Sequence, residues 1–333
     1  MVCTYSQRNY VNWRKLELLE GGRKMEQHSL VLCGKKHLEW KKEEIGRLKE
    51  DELLIKTIAG AISIGAELPQ YNENDKTETR ATYPKETGYE SYGEVISVGN
   101  CVESFKIGDR VVAFYGHKTL GIVKENKAIP IPRDVPYSFA LLTILSCDAA
   151  KGVRKLNPKV NSKVLVTGVG TVGLLSVYYL KHALNLSQID IIEPNEARRE
   201  IAKTFGATNL YSPNEIKENY YDYGIECSAT NSAFTCLQKG VKENGEICIL
   251  SDGNKEDFYL TPEFYEKELR IVGSSDGLDY KRHASWFLHY VKHTPFVGQL
   301  FEHEITHQEL IRCFQELSDE KIKPIKVLVK YIN

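Results

Sequence analysis

Two patterns of hydrophobic and polar residues divide the chain. From about residue 28 to 135, short apolar runs such as LLIKTIAGAI, GEVISVG and DRVVAFYG are separated by glycines and charged turns, which predicts a β-rich region. From about 136 to 295, apolar strands such as KVLVTG and QIDIIE alternate with amphipathic segments such as NEARREIAKTFGA, a helix with Asn195 as its N-cap and Gly206 as its end. Strand–helix alternation builds a parallel, doubly wound sheet. The pattern predicts an α/β fold with a second, β-rich domain.

Length, composition and charge narrow the class of protein. A chain of 333 residues is long enough for two domains, and 42% hydrophobic and 27% charged residues are ordinary for a globular protein. A net charge of −1 gives no basic surface for nucleic acid or anionic membrane, and no apolar run reaches the roughly 18–20 residues of a membrane span. Eight scattered cysteines without a CxxC pair are typical of thiols in a reducing cytosol. We expect a cytoplasmic protein with no nucleic-acid or membrane partner.

Residues 1–24 differ in pattern from the rest of the chain. Met25 directly precedes EQHSLVLCGKKHLEW, a predicted strand and hairpin, whereas the segment before it has little periodicity. Glu20-Gly21-Gly22 can be encoded by GAAGGAGG, a bacterial ribosome-binding sequence, a few codons before Met25. We therefore expect translation to start at Met25; a native N-terminal arm is the alternative.

The strongest chemical motif is VLVTGVGTVG followed by IDIIEPNEARRE. Gly168, Gly170 and Gly173 form GxGxxG between a strand and a helix, where they permit a tight turn, close approach of a pyrophosphate and close helix–strand packing. The helix N-terminus offers free N–H groups to phosphates. Glu193, at the end of the next strand, is placed to accept hydrogen bonds from the adenosine ribose, which favours NAD. The predicted cofactor-binding residues are Gly168, Gly170, Thr171, Val172, Gly173, Glu193, Arg198, Cys227 and Ser228.

Two arginines leave NADP open as the less favoured cofactor. Arg198 and Arg199 follow Glu193 closely, and either could meet a 2′-phosphate. A glycine turn that binds nothing is the remaining alternative.

Several segments together resemble the medium-chain dehydrogenase/reductase superfamily. They occur in that family's order: GYESYGEVISVG with KIGDRVVAF, then VTGVGTVG, YGIECSA, NGEICILS and KELRIVGSS. The resemblance implies a GroES-like β domain built from residues 25–135 and 300–333, with a Rossmann domain, residues 136–299, inserted between the two pieces. It also implies a small-molecule substrate and a homodimer or homotetramer.

The segment YPKETGYE departs from the zinc enzymes of this family. In those alcohol dehydrogenases a zinc-binding histidine lies between the glycine and the glutamate, where this sequence has Tyr89. The place of the cysteine ligand falls at or near Ser63, and that of the third ligand falls near Thr143. Hydroxyls are poor ligands for Zn²⁺, and the four-cysteine lobe that holds structural zinc is missing. We expect no metal, and a resemblance to the zinc-free branch that includes bacteriochlorophyllide dehydrogenase.

Without zinc, hydrogen-bond donors must polarise and protonate a carbonyl oxygen that receives hydride. Tyr89 is the first candidate because it occupies the position of a metal ligand; filling that volume is the alternative. Ser63 is a candidate proton relay, or a plain turn serine. The relatives often have a threonine hydroxyl where this chain has Ala66, which puts the usual relay in doubt.

Two further catalytic candidates come from other segments. His117, in FYGHKT, is predicted to reach the cleft and has an imidazole suited to proton transfer; an ordinary surface histidine is the alternative. Asp148, with Lys151, begins a helix close to the expected nicotinamide position. Glu67 and Glu90 are interpreted as structural anchors that pair with basic partners.

HEITH, residues 303–307, matches the HExxH motif of zinc proteases. That motif works only on a helix, and here Ile305 and Thr306 are predicted to end a strand. The match is interpreted as chance.

Three functions remain open from the sequence. The first is a zinc-independent, NAD-dependent oxidoreductase that interconverts an alcohol and a carbonyl. The second is an NADPH-dependent quinone or enoyl reductase, against which Glu193 argues. The third is a nucleotide-binding protein without catalysis.

Overall fold

The computed structural model describes residues 25–331, so the prediction for residues 1–24 lies outside the described part of the chain. Within it the chain forms sixteen strands and nine α-helices. The strands are β1 (Glu26–Gly34), β2 (His37–Glu44), β3 (Glu52–Ile62), β4 (Lys85–Glu86), β5 (Glu90–Val98), β6 (Arg110–Ala113), β7 (Leu120–Lys124), β8 (Ile129–Ile131), β9 (Lys163–Thr167), β10 (Gln188–Ile192), β11 (Asn209–Tyr211), β12 (Tyr221–Glu226), β13 (Val241–Ile249), β14 (Arg270–Gly273), β15 (Phe301–Thr306) and β16 (Lys326–Lys330). The helices are α1 (Ile64–Tyr71), α2 (Tyr137–Leu141), α3 (Thr143–Leu156), α4 (Thr171–His182), α5 (Glu196–Phe205), α6 (Asn231–Gly240), α7 (Pro262–Glu266), α8 (Tyr280–Val291) and α9 (Leu310–Ser318).

The strand–helix part of the chain forms a six-stranded parallel sheet in the order β11-β10-β9-β12-β13-β14. β9 and β10 are buried along almost their whole length, as expected for parallel strands covered by helices on both faces. Chain order runs outward from β9 in one direction and from β12 in the other. The glycine motif follows β9 and therefore lies at the point where the topology switches, where such folds bind nucleotides.

The β-rich part forms a seven-stranded sheet and a three-stranded sheet. The larger sheet has the order β15-β16-β3-β5-β6-β8, with β7 on β3, and the smaller one has the order β2-β1-β4. β16 pairs antiparallel with β3, with Val329 opposite Gly60, so the end of the chain returns to the first domain. The fold is α/β with a Rossmann-type parallel sheet and a β-rich domain, as the sequence predicts.

Several local predictions are confirmed. Asn195 accepts a hydrogen bond from the Arg198 backbone N–H at the start of α5, and Gly206 ends that helix with φ +114°. Residues 301–306 form β15, and His307 begins a 3₁₀ turn, so HEITH does not lie on one helix. No helix among residues 25–331 is long and apolar enough to cross a membrane.

A buried ion pair joins the two sequence pieces of the β-rich domain. Lys326 Nζ, at the start of β16, donates to Glu90 Oε1 at 2.6 Å, and both side chains are at most 1% exposed. Burial raises the pKa of the Glu90 carboxyl, an effect that the Lys326 ammonium opposes. Glu90 Oε2 has no hydrogen-bond partner among the described residues. The pair links β16 to β5 directly next to Tyr89.

We expect Lys326→Met to lower the free energy of unfolding by about 3–5 kcal/mol, because it leaves the Glu90 carboxylate buried without its counter-charge. Glu90→Leu combined with Lys326→Met removes both charges and should recover most of that loss. Urea unfolding measures both values. 

The matched control for this comparison is Lys330→Met on the same strand. Lys330 forms its ion pair with Glu304, and both side chains are exposed to solvent, so this variant should change stability by less than about 0.5 kcal/mol. Equal stability of Lys326→Met and the control would contradict the prediction.

Candidate active site

A cleft of about 830 Å³ lies between the parallel sheet and the β-rich domain. The cleft is lined by Ser63 and Tyr89 of the β-rich domain and by Asp148, Gly170 and Ser228 of the domain that contains the parallel sheet. The cleft therefore brings the predicted cofactor loop and two predicted catalytic hydroxyls to one space.

The glycine loop has the geometry that a dinucleotide requires. Gly168 has φ +78°, and a Cβ there would lie 2.7 Å from the Ser228 Cβ. A Cβ on Gly173 would lie 1.9 Å from the Gly168 carbonyl oxygen, so only glycine lets α4 pack this close to β9. A Cβ on Gly170 would meet no atom within 4 Å, so this residue faces open space in the cleft. Thr171 and Val172, also on the cleft wall, begin α4, whose first N–H groups are available to a phosphate.

The residues predicted to contact the adenosine ribose occupy different environments. The Glu193 carboxylate is 6% exposed and accepts hydrogen bonds from the backbone N–H groups of Val169, at 3.1 Å, and Asn195, at 3.0 Å. It therefore supports the glycine loop and does not line the cleft; its contact with ribose stays a prediction. Arg198 lines the cleft, whereas Arg199 donates to the Glu193 backbone carbonyl.

Glu226 is a site residue that sequence reasoning missed. Its fully buried carboxylate, at the end of β12, accepts hydrogen bonds from the N–H and hydroxyl of Ser228, the N–H of Ala229 and the hydroxyl of Ser251. It thereby orders the loops after β12 and β13 and holds Cys227 and Ser228 on the cleft wall. The available signal was a carboxylate that ends an apolar strand, directly before small polar residues.

Tyr89 and Ser63 meet on the other wall of the cleft. The Tyr89 hydroxyl donates to Ser63 Oγ at 2.5 Å, and the Tyr89 ring stacks on Phe114 with 6.5 Å between centroids. Burial, and next the Glu90 carboxylate, hold the pKa of the Tyr89 phenol well above its usual range. The phenol is therefore a neutral hydrogen-bond donor at physiological pH.

The residues that the resemblance aligns with the metal ligands of the zinc enzymes do not fit zinc. Ser63 and Tyr89 are hydrogen-bonded to each other, and Thr143 is fully buried, away from the cleft lining, with its hydroxyl unpartnered among the described residues. All three offer hydroxyls, whereas Zn²⁺ in proteins takes thiolate, imidazole and carboxylate. Between residues 25 and 331, no three His, Cys, Asp or Glu side chains are grouped so that they could hold a metal ion.

Asp148 lines the cleft and titrates near neutral pH. Its Oδ1 accepts a hydrogen bond from the Tyr280 hydroxyl at 2.8 Å, and the Tyr280 oxygen accepts one from the Gly277 N–H. Burial raises the pKa of the Asp148 carboxyl to about 7, against the lowering effect of the Tyr280 hydrogen bond, and Asp276 raises it further. Asp148 is thus placed to exchange a proton at neutral pH.

Two aspartates near Asp148 were not predicted. Asp252 and Asp276 line the cleft after β13 and β14, adjacent strands of the parallel sheet. Each lies in the tripeptide Ser-Asp-Gly, at residues 251–253 and 275–277. The carboxyl ends of parallel strands meet at one edge, so this repeated tripeptide was a usable signal.

His117 does not reach the cleft, and its prediction as a cleft residue was wrong. It lies in the connection between β6 and β7, is 2% exposed, and its Nε2 hydrogen-bonds Glu67 Oε2 at 3.0 Å. The imidazole fits there because Gly88 has no side chain: a Cβ on Gly88 would lie 2.7 Å from the His117 ring. Glu67 and Glu90 do pair with basic partners, as predicted.

One residue connects the two domains beside the cleft. Asn254 lies in the loop after β13. Its side-chain Nδ2 donates to the Gly65 carbonyl at 2.9 Å, and its backbone carbonyl accepts from the Lys76 backbone N–H at 3.0 Å. Asn254 is only 3% exposed. The loop after β13 is therefore hydrogen-bonded to α1 and to the segment that follows α1.

Comparison with known proteins identifies the family of this chain. Residues 49–130 match the family described as alcohol dehydrogenase GroES-like domain, and residues 171–288 match the family described as zinc-binding dehydrogenase. L-threonine 3-dehydrogenase of Shewanella putrefaciens is 27% identical over 261 residues, which cover 63% of this chain and 71% of that protein. The same enzyme of Shewanella baltica is 27% identical over 252 residues, covering 60% and 70%. The chain belongs to the medium-chain dehydrogenase/reductase superfamily.

Solved structures of several dehydrogenases share the fold. An oxidoreductase/dehydrogenase of unknown specificity from Escherichia coli has a TM-score of 0.82 at 18% identity, covering 93% of this chain and 100% of that one. A 2R,3R-butanediol dehydrogenase from Bacillus subtilis has a TM-score of 0.76 at 22% identity, covering 92% and 100%. A Sinorhizobium meliloti protein assigned as a zinc-binding dehydrogenase and bound to NADP has a TM-score of 0.79 at 19% identity, with the same coverage. The relatives are dehydrogenases, and this superfamily member is an oxidoreductase of the dehydrogenase type.

We expect Asp148→Asn to change how stability depends on pH. The pKa of the folded carboxyl, about 7, lies above its ordinary value of 3.8, so its contribution to stability is largest below about pH 4 and is lost as pH rises to about 7. The asparagine variant should lack this loss, which is on the order of 4 kcal/mol for a pKa difference of about three units, and gain stability relative to wild type as pH rises from about 4 to 7. Urea unfolding from pH 4 to 8 measures the effect. Parallel profiles for the two proteins would contradict it.

Proposed function

We propose that this protein is a zinc-independent oxidoreductase that transfers hydride between NAD and a small secondary alcohol or its carbonyl. The observation that carries the proposal is the hydrogen bond between Tyr89 and Ser63, the two hydroxyl residues that the resemblance aligns with metal ligands of the zinc enzymes of the family. These hydroxyls line the same cleft as the glycine loop. The donor set supports a reaction without zinc, since hydroxyls do not replace thiolate and imidazole.

The residues of the cleft fit a nicotinamide dinucleotide. Gly168 and Gly173 allow close packing of loop, strand and helix, and Gly170 leaves room for a pyrophosphate beside its backbone. The first turn of α4 offers N–H groups to the phosphates, and Ser228 lies on the wall of the cleft beyond them. When bound, the nicotinamide supplies the carbon that accepts or gives hydride.

The hydroxyl pair performs the proton transfer that accompanies hydride transfer. Ser63 Oγ accepts from Tyr89, so the proton of Ser63 is free to donate to a substrate oxygen in the cleft. When a carbonyl oxygen gains negative charge, Ser63 gives it a proton and takes one from the Tyr89 phenol, and the protonated Asp148 carboxyl replaces the proton that Tyr89 has lost. The reverse order removes the proton of an alcohol. Asp148, whose pKa is about 7, exchanges protons between the cleft and solvent.

The same proposal covers partners and location. The substrate is a small molecule, no nucleic acid or membrane takes part, and the protein works in the cytoplasm. The subunits form a homodimer or homotetramer through the edge of the parallel sheet. β14 is the last strand of that sheet, and Tyr259 and Tyr265, on the segment before it, are 63% and 76% exposed.

A second candidate, an NADPH-dependent quinone or enoyl reductase, is favoured by one observation. Arg198 lines the cleft, where a guanidinium can bind a 2′-phosphate. Against it, the Arg198 Nη2 already donates to the Lys323 carbonyl at 3.0 Å.

We expect Tyr89→Phe and Ser63→Ala each to lower kcat by about 10²–10⁴-fold without weakening cofactor binding, because each removes a proton donor and leaves the glycine loop intact. Steady-state kinetics on a panel of secondary alcohols and ketones, with NADH binding followed by fluorescence, measures both quantities. The exposed Tyr290→Phe is the matched control. Unchanged turnover in both site variants, or stoichiometric zinc in the purified protein, would refute the proposal.

We expect NADH to bind more tightly than NADPH, and Arg198→Ala to leave the Kd for NADH unchanged, since this arginine is already engaged by a backbone carbonyl. Fluorescence titration of both nucleotides with both proteins gives the four constants. Tighter binding of NADPH that is lost about 10-fold or more in Arg198→Ala would favour the second candidate.

A further inference from the structure

Ser63 lies at the N-cap of α1 but does not cap it with its hydroxyl. An N-cap serine normally uses its Oγ to accept from a backbone N–H of the first helical turn. Here the Ser63 side chain makes no such bond. Glu67 instead reaches back, and its Oε1 accepts from the Ser63 N–H at 2.8 Å. The carboxylate holds the Ser63 backbone and leaves the Ser63 hydroxyl available to Tyr89.

His117 connects this carboxylate to the segment that carries Tyr89. Its Nε2 hydrogen-bonds Glu67 Oε2 at 3.0 Å, and its backbone N–H donates to the Thr87 carbonyl at 2.8 Å. Its ring packs on Gly88, where a Cβ would lie 2.7 Å from Cδ2. One histidine therefore contacts both the partner of Ser63 and the residues that directly precede Tyr89.

The burial of Glu67 and His117 argues against a role in which they only fill space in the core. Glu67 is 7% exposed and His117 is 2% exposed, and burying such groups costs free energy that apolar side chains of similar size would not. One side of the imidazole is closed by Phe314, whose ring lies edge-on at 6.2 Å between centroids. The carboxylate contacts Ser63 on one side and the imidazole on the other, and an apolar ring backs the imidazole.

We infer that Glu67 and His117 are positioning residues. They lie behind the cleft wall and hold Ser63 and Tyr89 at hydrogen-bonding distance from each other. They touch neither substrate nor cofactor, and they act through the two hydroxyls. Glu67 fixes the Ser63 backbone, and His117 fixes Glu67 and the Gly88 backbone. The inference rests on the proposed function for its kinetic consequence, but the placement of Tyr89 is a structural quantity that exists without turnover.

The kinetic test compares Glu67→Ala and His117→Ala with the wild-type enzyme. Each should lower kcat by about 10- to 100-fold with little change in KM, as expected when catalytic groups lose their orientation. Glu67→Gln retains an acceptor for the Ser63 N–H and should recover most of the loss. In a Ser63→Ala background, His117→Ala should lower kcat by less than about 3-fold, because the hydroxyl through which both positioned residues act on the substrate is gone.

The spectroscopic test needs no activity. 3-Fluorotyrosine is introduced at position 89 and its ¹⁹F resonance is recorded in the full-length protein. Wild type should give one sharp line, and Glu67→Ala or His117→Ala should shift and broaden it as the contact with Ser63 is lost. Leu317→Ala is the control, since it truncates a buried residue of the neighbouring apolar cluster without removing either member of the pair. It should lower Tm and leave the resonance in place.

An unchanged ¹⁹F resonance in both alanine variants overturns the inference, as do kinetic losses that simply multiply with that of Ser63→Ala. If the wild-type protein turns over no alcohol or carbonyl, the proposed function fails and the ¹⁹F comparison still decides the positioning role. If an alanine variant does not fold, His117→Gln and Glu67→Met provide the same comparison with side chains closer in size to the originals.

Discussion

The Lys326–Glu90 ion pair is the constraint on which the site depends. It joins residues 236 positions apart, and both side chains are removed from water. Leaving one such charge in a protein interior without its partner costs about 3–5 kcal/mol, which favours the register of strand β16 that places Lys326 against Glu90. Glu90 is the direct neighbour of Tyr89, and its charge also helps to keep the phenol protonated. The last strand of the chain therefore stabilises both the closure of the β-rich domain and the chemical state of a residue in the cleft.

The cleft holds two acids whose environments separate their proton affinities. Burial beside Glu90 raises the pKa of Tyr89 far above neutral, whereas burial near other carboxylates brings that of Asp148 to about 7. One group thus stays protonated as a donor, and the other can gain and lose a proton under the same conditions. In the proposed reaction, this division of roles gives the hydroxyl pair a source of protons without a metal.

Local signals in the sequence account for much of the fold. Gly168 and Gly206 were predictable because each has a backbone requirement set by neighbouring residues, and Asn195 because capping is local. The family resemblance aligned Ser63 and Tyr89 with ligands of one metal, but the hydrogen bond between them was not predicted, since 26 residues separate them.

Other features of the site could not be read from local patterns. The burial of His117 and the loop contacts of Glu226 depend on long-range packing, and no periodicity records either. Asp276 lies in a repeated Ser-Asp-Gly tripeptide, but this repeat indicates a shared site only once β13 and β14 are known to be neighbouring strands. The two hydrogen bonds of Asn254 are likewise long-range contacts that no local pattern reveals, and they join the two domains. Because Asn254 bonds to the β-rich domain through both its side-chain amide and its backbone carbonyl, opening the crevice at this loop would cost both hydrogen bonds. Two such bonds contribute roughly 1–3 kcal/mol, so they bias the two domains toward the arrangement in which the glycine loop faces Ser63 and Tyr89.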